Sequence, residues 1–259
     1  MENTPLSQVD PPPETPSEGS RLLWDWPTRI FHWTFAGCFG GAFALAVLSS
    51  EHSSAFLVHM LFGLVLAVAI LLRLVWGVVG SRPSRFRSFL VSPGTLIVYL
   101  RSVLSGRDTS SPGHNPGTAY AALVMLLLGL GLGASGLAQG QGLKAAEEIH
   151  EVFAYALLAV VVVHITGLAW HRARHRENLA LSMIHGKRMI PAEAAIGSSR
   201  PMAGLSFLVI LGGSALFLGI GLDTARKQVS LPGLARPIPL GEAKSKDPVK
   251  LHPKHEDDD

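Results

Sequence analysis

The sequence predicts an all-α integral membrane protein, a four-helix bundle joined by a fifth transmembrane helix. Hydrophobic residues make up 48% of the 259 positions, charged residues only 16%, and mean hydropathy is +0.33. Five apolar stretches, approximately residues 30–48, 55–79, 118–137, 149–170 and 202–222, reach the ~17–25 residues that a hydrocarbon core requires. Each reads as a helix, because an isolated span must satisfy its own backbone hydrogen bonds within lipid. Basic residues alternate between connections, which sets the orientation.

Residues 1–21 carry Pro11, Pro12 and Pro13 with four acidic side chains, a composition expected to be disordered. They lack the basic start of a secretory signal, so the first span is expected to be retained. The connection after the second span holds Arg82, Arg85, Arg87, Arg101 and Arg107, and that after the fourth holds Arg172, Arg174, Arg176, Lys187 and Arg188. Both are expected in the cytoplasm. The connections after the first and third spans hold Lys144 beside Glu51, Glu147 and Glu148, and are expected outside. This places the N-terminus in the cytoplasm and the 223–259 tail in the periplasm, with the chain in a bacterial inner membrane. The tail can be disordered or can fold on a partner. Residues 191–222 form a linker and the fifth span. No Gly-rich nucleotide loop or soluble catalytic domain stands out, and the pI near 9.2 reflects cytoplasmic anchoring rather than nucleic-acid binding. Cys38 is the only cysteine, so an internal disulfide, covalent haem attachment and a four-thiolate cluster are all excluded. It reads as a small packing residue.

Four histidines lie within apolar runs: His32, His59, His150 and His164. Ionisable residues inside a membrane are costly and mark function. His150 and His164 are fourteen residues apart, which on a helix puts them on one face about 21 Å apart along the axis. By the expected topology His59 and His150 lie at the outer side, and His32 and His164 at the inner side. Two pairs at two depths suit two bis-histidine haems stacked in a four-helix bundle. Two imidazoles leave Zn²⁺ short of its usual four ligands, whereas a porphyrin supplies four of its own. Gly37, Gly40, Gly41, Gly63 and Gly167 follow these histidines and either make room for a flat ring or pack helices.

The segment Trp24-Asp25-Trp26-Pro27-Thr28-Arg29-Ile30-Phe31-His32-Trp33 resembles the opening of the bacterial cytochrome b561 and nickel–iron hydrogenase b-type cytochrome family. The likeness continues through His59-Met60-Leu61-Phe62-Gly63, Arg73-Leu74-Val75-Trp76-Gly77, Gly113-His114-Asn115-Pro116-Gly117, Glu148-Ile149-His150 with His164, Glu177-Asn178-Leu179 and His185-Gly186-Lys187-Arg188. It spans roughly residues 22–188, and the ordered combination is specific. The resemblance implies a dihaem cytochrome b domain over 22–190, two haem b groups ligated by His32, His59, His150 and His164, and quinone as the membrane redox partner. It also implies a periplasmic partner such as a cytochrome c or a hydrogenase. Some relatives oxidise superoxide and reduce quinone alone, which makes a stand-alone oxidoreductase the second reading. A haem-free structural anchor or metal transporter is the third.

Arg73, near the inner end of the second span, either pairs with a haem propionate or snorkels to lipid. Arg29 has the same two readings. His52 and His171 are seven residues from a chosen histidine but read as interfacial, and His114, His175 and His185 as polar cytoplasmic residues. Asn115 and Pro116 read as a helix cap and first turn, and Trp24 and Trp26 as headgroup anchors.

Overall fold

The computed structural model describes residues 19–50, 53–107, 115–223, 228–229 and 237–239. In chain order these form β1 (Gly19–Leu22), α1 (Trp26–Leu48), α2 (Ser54–Val79), α3 (Pro93–Leu104), α4 (Pro116–Gly140), α5 (Ala145–His175), α6 (Leu179–His185), β2 (Lys187–Ile190), α7 (Pro201–Ile220), β3 (Leu222–Asp223), β4 (Gln228–Val229) and β5 (Ile238–Pro239). Helices α1, α2, α4, α5 and α7 are long and apolar enough to cross a membrane. Four of them begin where the chain supplies a cap or an early proline. Asp25 caps α1 ahead of Pro27, Ser53 caps α2, Asn115 caps α4 ahead of Pro116, and Pro201 opens α7. Helix α5 runs for 31 residues, well beyond the fourth apolar stretch, and ends at Arg176 in the left-handed conformation.

Helices α1, α2, α4 and α5 enclose one core. Phe35, Cys38 and Phe39 of α1 meet Leu66 and Ile70 of α2, Leu126 and Leu132 of α4, and Leu157 of α5. Lipid tails are as apolar as these side chains, so close packing rather than water exclusion holds the helices together. Gly129 shows how tight that packing is: a Cβ there would lie 2.8 Å from Ile70 Cδ1. Helix α7 lies outside the four, against α1 and α2. Gly204 allows close approach to Trp26, and Phe207 meets Trp76 edge-on at 5.8 Å. Beyond it, Val229 of the small β3–β4–β5 sheet packs with Leu218, Met60 and Leu61.

The start and finish of the core domain are fastened together. β1 pairs antiparallel with β2, Gly19 opposite Ile190 and Leu22 opposite Lys187, so ordered chain begins within the stretch expected to be disordered; residues 1–18 lie outside the described residues. The Gly186 carbonyl accepts from the Leu23 and Trp24 amides at 2.8 and 3.0 Å. Gly186 has φ +80°, and a Cβ would fall 2.8 Å from the Trp24 carbonyl oxygen, so glycine is required there. Trp24 is not the headgroup anchor expected from the sequence. Its ring is buried against Leu23 and Ile190, and its indole donates to Ser182 Oγ at 3.0 Å.

Helix α3 was not expected within the basic connection. Ser92 caps it and Pro93 starts it, yet none of its residues is buried. Ile97, Val98 and Leu104 are exposed beside Arg101, a composition suited to a membrane surface. This connection and the one after α5 make one end of the bundle strongly basic. Exposed Glu147, Glu148 and Glu151 lie at the opposite end.

At the basic end, fully buried Asp25 ties three elements together. Oδ1 accepts the Thr28 amide at 3.0 Å, while Oδ2 accepts Trp76 Nε1 at 3.1 Å and Ser84 Oγ at 3.0 Å. Ser84 Oγ also meets Thr28 Oγ1 at 2.6 Å and Ser81 Oγ at 2.9 Å. Asp25→Ala strands these donors in the interior and is expected to cost about 2–4 kcal/mol. A lowered thermal midpoint of the purified protein in detergent is the readout, with Asp25→Asn milder because its amide oxygen still accepts.

Candidate functional site

At the end opposite the basic connections, α2 and α5 bring His59 and His150 together. Their ring centroids are 6.2 Å apart with planes at 72°. His59 Nδ1 lies 2.8 Å from the Ala42 carbonyl of α1. A carbonyl only accepts, so Nδ1 carries the proton and Nε2 presents its lone pair. Phe56 stacks on the ring at 5.0 Å and holds its plane. His150 Nδ1 lies 3.0 Å from Ser135 Oγ, which in turn lies 2.7 Å from the Gly131 carbonyl. With the hydroxyl proton donated to that carbonyl, Ser135 oxygen accepts from Nδ1–H, and His150 Nε2 is also left free to bind.

Both rings line a cavity of about 590 Å³. Gly63, Gly133 and Gly136 form part of its wall, and a Cβ at Gly63 would meet no atom within 4 Å. The size falls within the ~300–1,000 Å³ of cofactor sites. A metal–imidazole bond is about 2 Å long and the ring centre lies about 1 Å beyond the nitrogen, so two imidazoles across one metal have centroids roughly 6 Å apart. The observed pair therefore fits bis-histidine ligation of a haem. Among the described residues no three His, Cys, Asp or Glu side chains are grouped to hold a small ion. Exposed Glu147, Glu151 and Tyr155 also line the cavity.

At the basic end, His32 of α1 and His164 of α5 lie within electrostatic reach of each other, and His32 Nδ1 is buried without a hydrogen-bond partner. Arg73 of α2 is only 5% exposed and points into the protein rather than outward to lipid. Its guanidinium lies over Phe31, Phe86 and Phe89 at 5.3–5.8 Å, and Nη1 has no acceptor. A cavity of about 40 Å³ adjoins it. A buried cation with an unused donor fits a carboxylate such as a haem propionate. Gly41, by contrast, is a packing residue, since a Cβ there would lie 2.7 Å from the Phe62 ring. Gly37, Gly40 and Gly167 face open space within 4 Å.

The remaining candidates have structural roles. His171 is buried, not interfacial as the sequence suggested; its Nε2 pairs with Glu177 at 3.2 Å, and Glu177 pairs with Arg188 at 2.6 Å. This joins the end of α5 to β2. His175 stacks near His171, and His185 Nδ1 accepts the Lys187 amide. Arg29 stacks on Trp26 at 4.2 Å and donates to the Met183 carbonyl. His52 and His114 lie outside the described residues. Ser135 is the site residue that sequence reasoning missed, although it is a lone hydroxyl in the run from Ala121 to Leu137.

No curated protein and no solved structure matches the chain. The family model for prokaryotic cytochrome b561 matches residues 23–186, from the buried Leu23 to the glycine that receives it. That match takes in every histidine of both pairs and covers more than half of the chain. The chain therefore belongs to the prokaryotic cytochrome b561 family, the b-type cytochromes of membrane electron transfer.

Proposed function

We propose that this protein is a dihaem b-type cytochrome that moves electrons across the bacterial inner membrane between the quinone pool and an outward-facing redox partner. The approach of His59 to His150 at a spacing suited to a shared iron carries the reading. His59 and His150 hold one haem b, and His32 and His164 the other. When bound, these groups supply one-electron redox chemistry. Two histidines per iron leave no open position, which favours electron transfer over oxygen binding. Ala42 and Ser135 orient the outer imidazoles and fix their tautomers. Arg73 donates to a propionate at the inner side.

Basic connections retained in the cytoplasm put the N-terminus inside and the segment after α7 in the periplasm. The haem domain spans 22–190. Quinone is the exchangeable partner, and a soluble cytochrome c or a hydrogenase fits the periplasmic role. A stand-alone superoxide:quinone oxidoreductase is less well supported, because Glu147 and Glu151, which line the outer cavity, repel an anion.

A pyridine haemochrome assay on the purified protein is expected to give two b haems per chain, and none would reject the reading. His59→Ala or His150→Ala is expected to remove one haem, and His32→Ala or His164→Ala the other; losses grouped differently would break the pairing. Ser135→Ala frees the His150 ring and is expected to weaken outer-haem binding about 10–100-fold. Transfer to apomyoglobin, followed by absorbance, measures that loss.

A further inference from the structure

No residue of α3 is buried, yet three contacts fix where the helix lies. The Val91 carbonyl just before it accepts from the Tyr120 hydroxyl of α4 at 3.0 Å. Its Tyr99 ring lies against Gly117 of α4, where a Cβ would come within 3.0 Å of Cε1. The Gly106 carbonyl just beyond it accepts from the Arg174 guanidinium of α5. The helix is thus laid across the basic ends of α4 and α5. Its twelve residues extend about 18 Å, too little to cross a ~30 Å hydrocarbon core.

Its two sides differ. The half-buried Leu96, Tyr99 and Val103 take the side toward the bundle. Ile97, Leu100 and Leu104, spaced three and four apart, form a second edge, and all three are exposed. Arg101, one turn after Ile97, borders that edge. From residue 81 to 107 the chain carries Arg82, Arg85, Arg87, Arg101 and Arg107 and no Asp, Glu or Lys. All five arginines are exposed, and only Nε of Arg85 is committed nearby, to the Gly80 carbonyl at 2.8 Å. Acidic neighbours do little to offset them. Among the described residues at this end Asp25 is buried and Glu177 is taken by Arg188 and His171, which leaves Glu193 exposed.

We propose that α3 is a docking surface for anionic phospholipid. The Ile97, Leu100 and Leu104 edge enters the boundary between headgroups and acyl chains, while Arg87, Arg101 and Arg107 hold the phosphates of lipids with net negative headgroups. An apolar edge bordered by cations matches both parts of such a molecule. The guanidinium fork also pairs with two phosphate oxygens at once. A second copy of the chain is a poorer occupant, because it would set two five-arginine surfaces against each other. The surface depends on neither histidine pair.

The test uses the full chain in nanodiscs of phosphatidylglycerol and phosphatidylcholine at equal mole fraction, with bromine on the acyl chains of one lipid or the other. Cys38 is buried and is the only native thiol, so the cysteine of Leu100→Cys takes a bimane label. Emission is divided by that in unbrominated discs, which cancels quenching by any bound haem. Brominated phosphatidylglycerol is expected to quench about twofold or more above brominated phosphatidylcholine, and high salt to narrow the difference. A label at Leu216→Cys, exposed on α7 toward the acidic end, is expected to show no preference. Combining Arg87→Gln, Arg101→Gln and Arg107→Gln is expected to bring the ratio at residue 100 to about one, with the single changes each lowering it if the triple variant does not fold. Equal quenching by the two lipids at residue 100, quenching by neither, or a preference that survives loss of the arginines would overturn the proposal.

Discussion

An imidazole placed in an apolar span must have its N–H satisfied before its other nitrogen can be presented in a fixed direction. At the His59–His150 pair the bundle meets this requirement with a group from a neighbouring helix in each case. Ala42 of α1 receives His59 of α2, and Ser135 of α4 receives His150 of α5. All four core helices are thereby committed to one site through two hydrogen bonds. The backbone carbonyl at Ala42 cannot rotate away, and the Ser135 hydroxyl is itself held by Gly131. Packing of Phe35, Phe39, Leu66 and Leu132 around these contacts maintains the helix spacing on which both bonds depend.

The basic end is secured differently, by polar groups that close the chain on itself. Asp25 gathers α1, α2 and the turn carrying Ser84, while Gly186 receives the backbone just before Asp25. Segments more than 150 residues apart thus share one small buried cluster. This explains why the sequence likeness runs from Trp24 to Arg188 with motifs at both extremes: the Trp24 ring and the α6 turn are contacts of each other. The His171–Glu177–Arg188 chain serves the same closure from the side of α5.

Much of this was legible in the sequence. Hydropathy revealed the five spans, because lipid requires long apolar helices, and Asn115-Pro116 announced a helix start by its own chemistry. The four histidines stood out because polar rings are rare in such runs. Contacts between distant segments were not legible. Trp24 looks like an interfacial residue until Ser182, remote in sequence, is brought to its indole, and His171 looks solvated until Glu177 folds back onto it. Helix α3 was hidden because its twelve residues are too short and too arginine-flanked to register as a span. Ser135 was overlooked because one hydroxyl barely changes the mean hydropathy of its surroundings.

Helix α5 contributes one histidine to each pair, and it does so as an unbroken rod. The interval between the two sites is therefore a ruler cut into a single covalent element. A bilayer that thins or thickens can tilt this rod against its neighbours, but it cannot stretch it. If each pair holds a haem, as proposed above, the step between them keeps its length whatever lipid surrounds the helix.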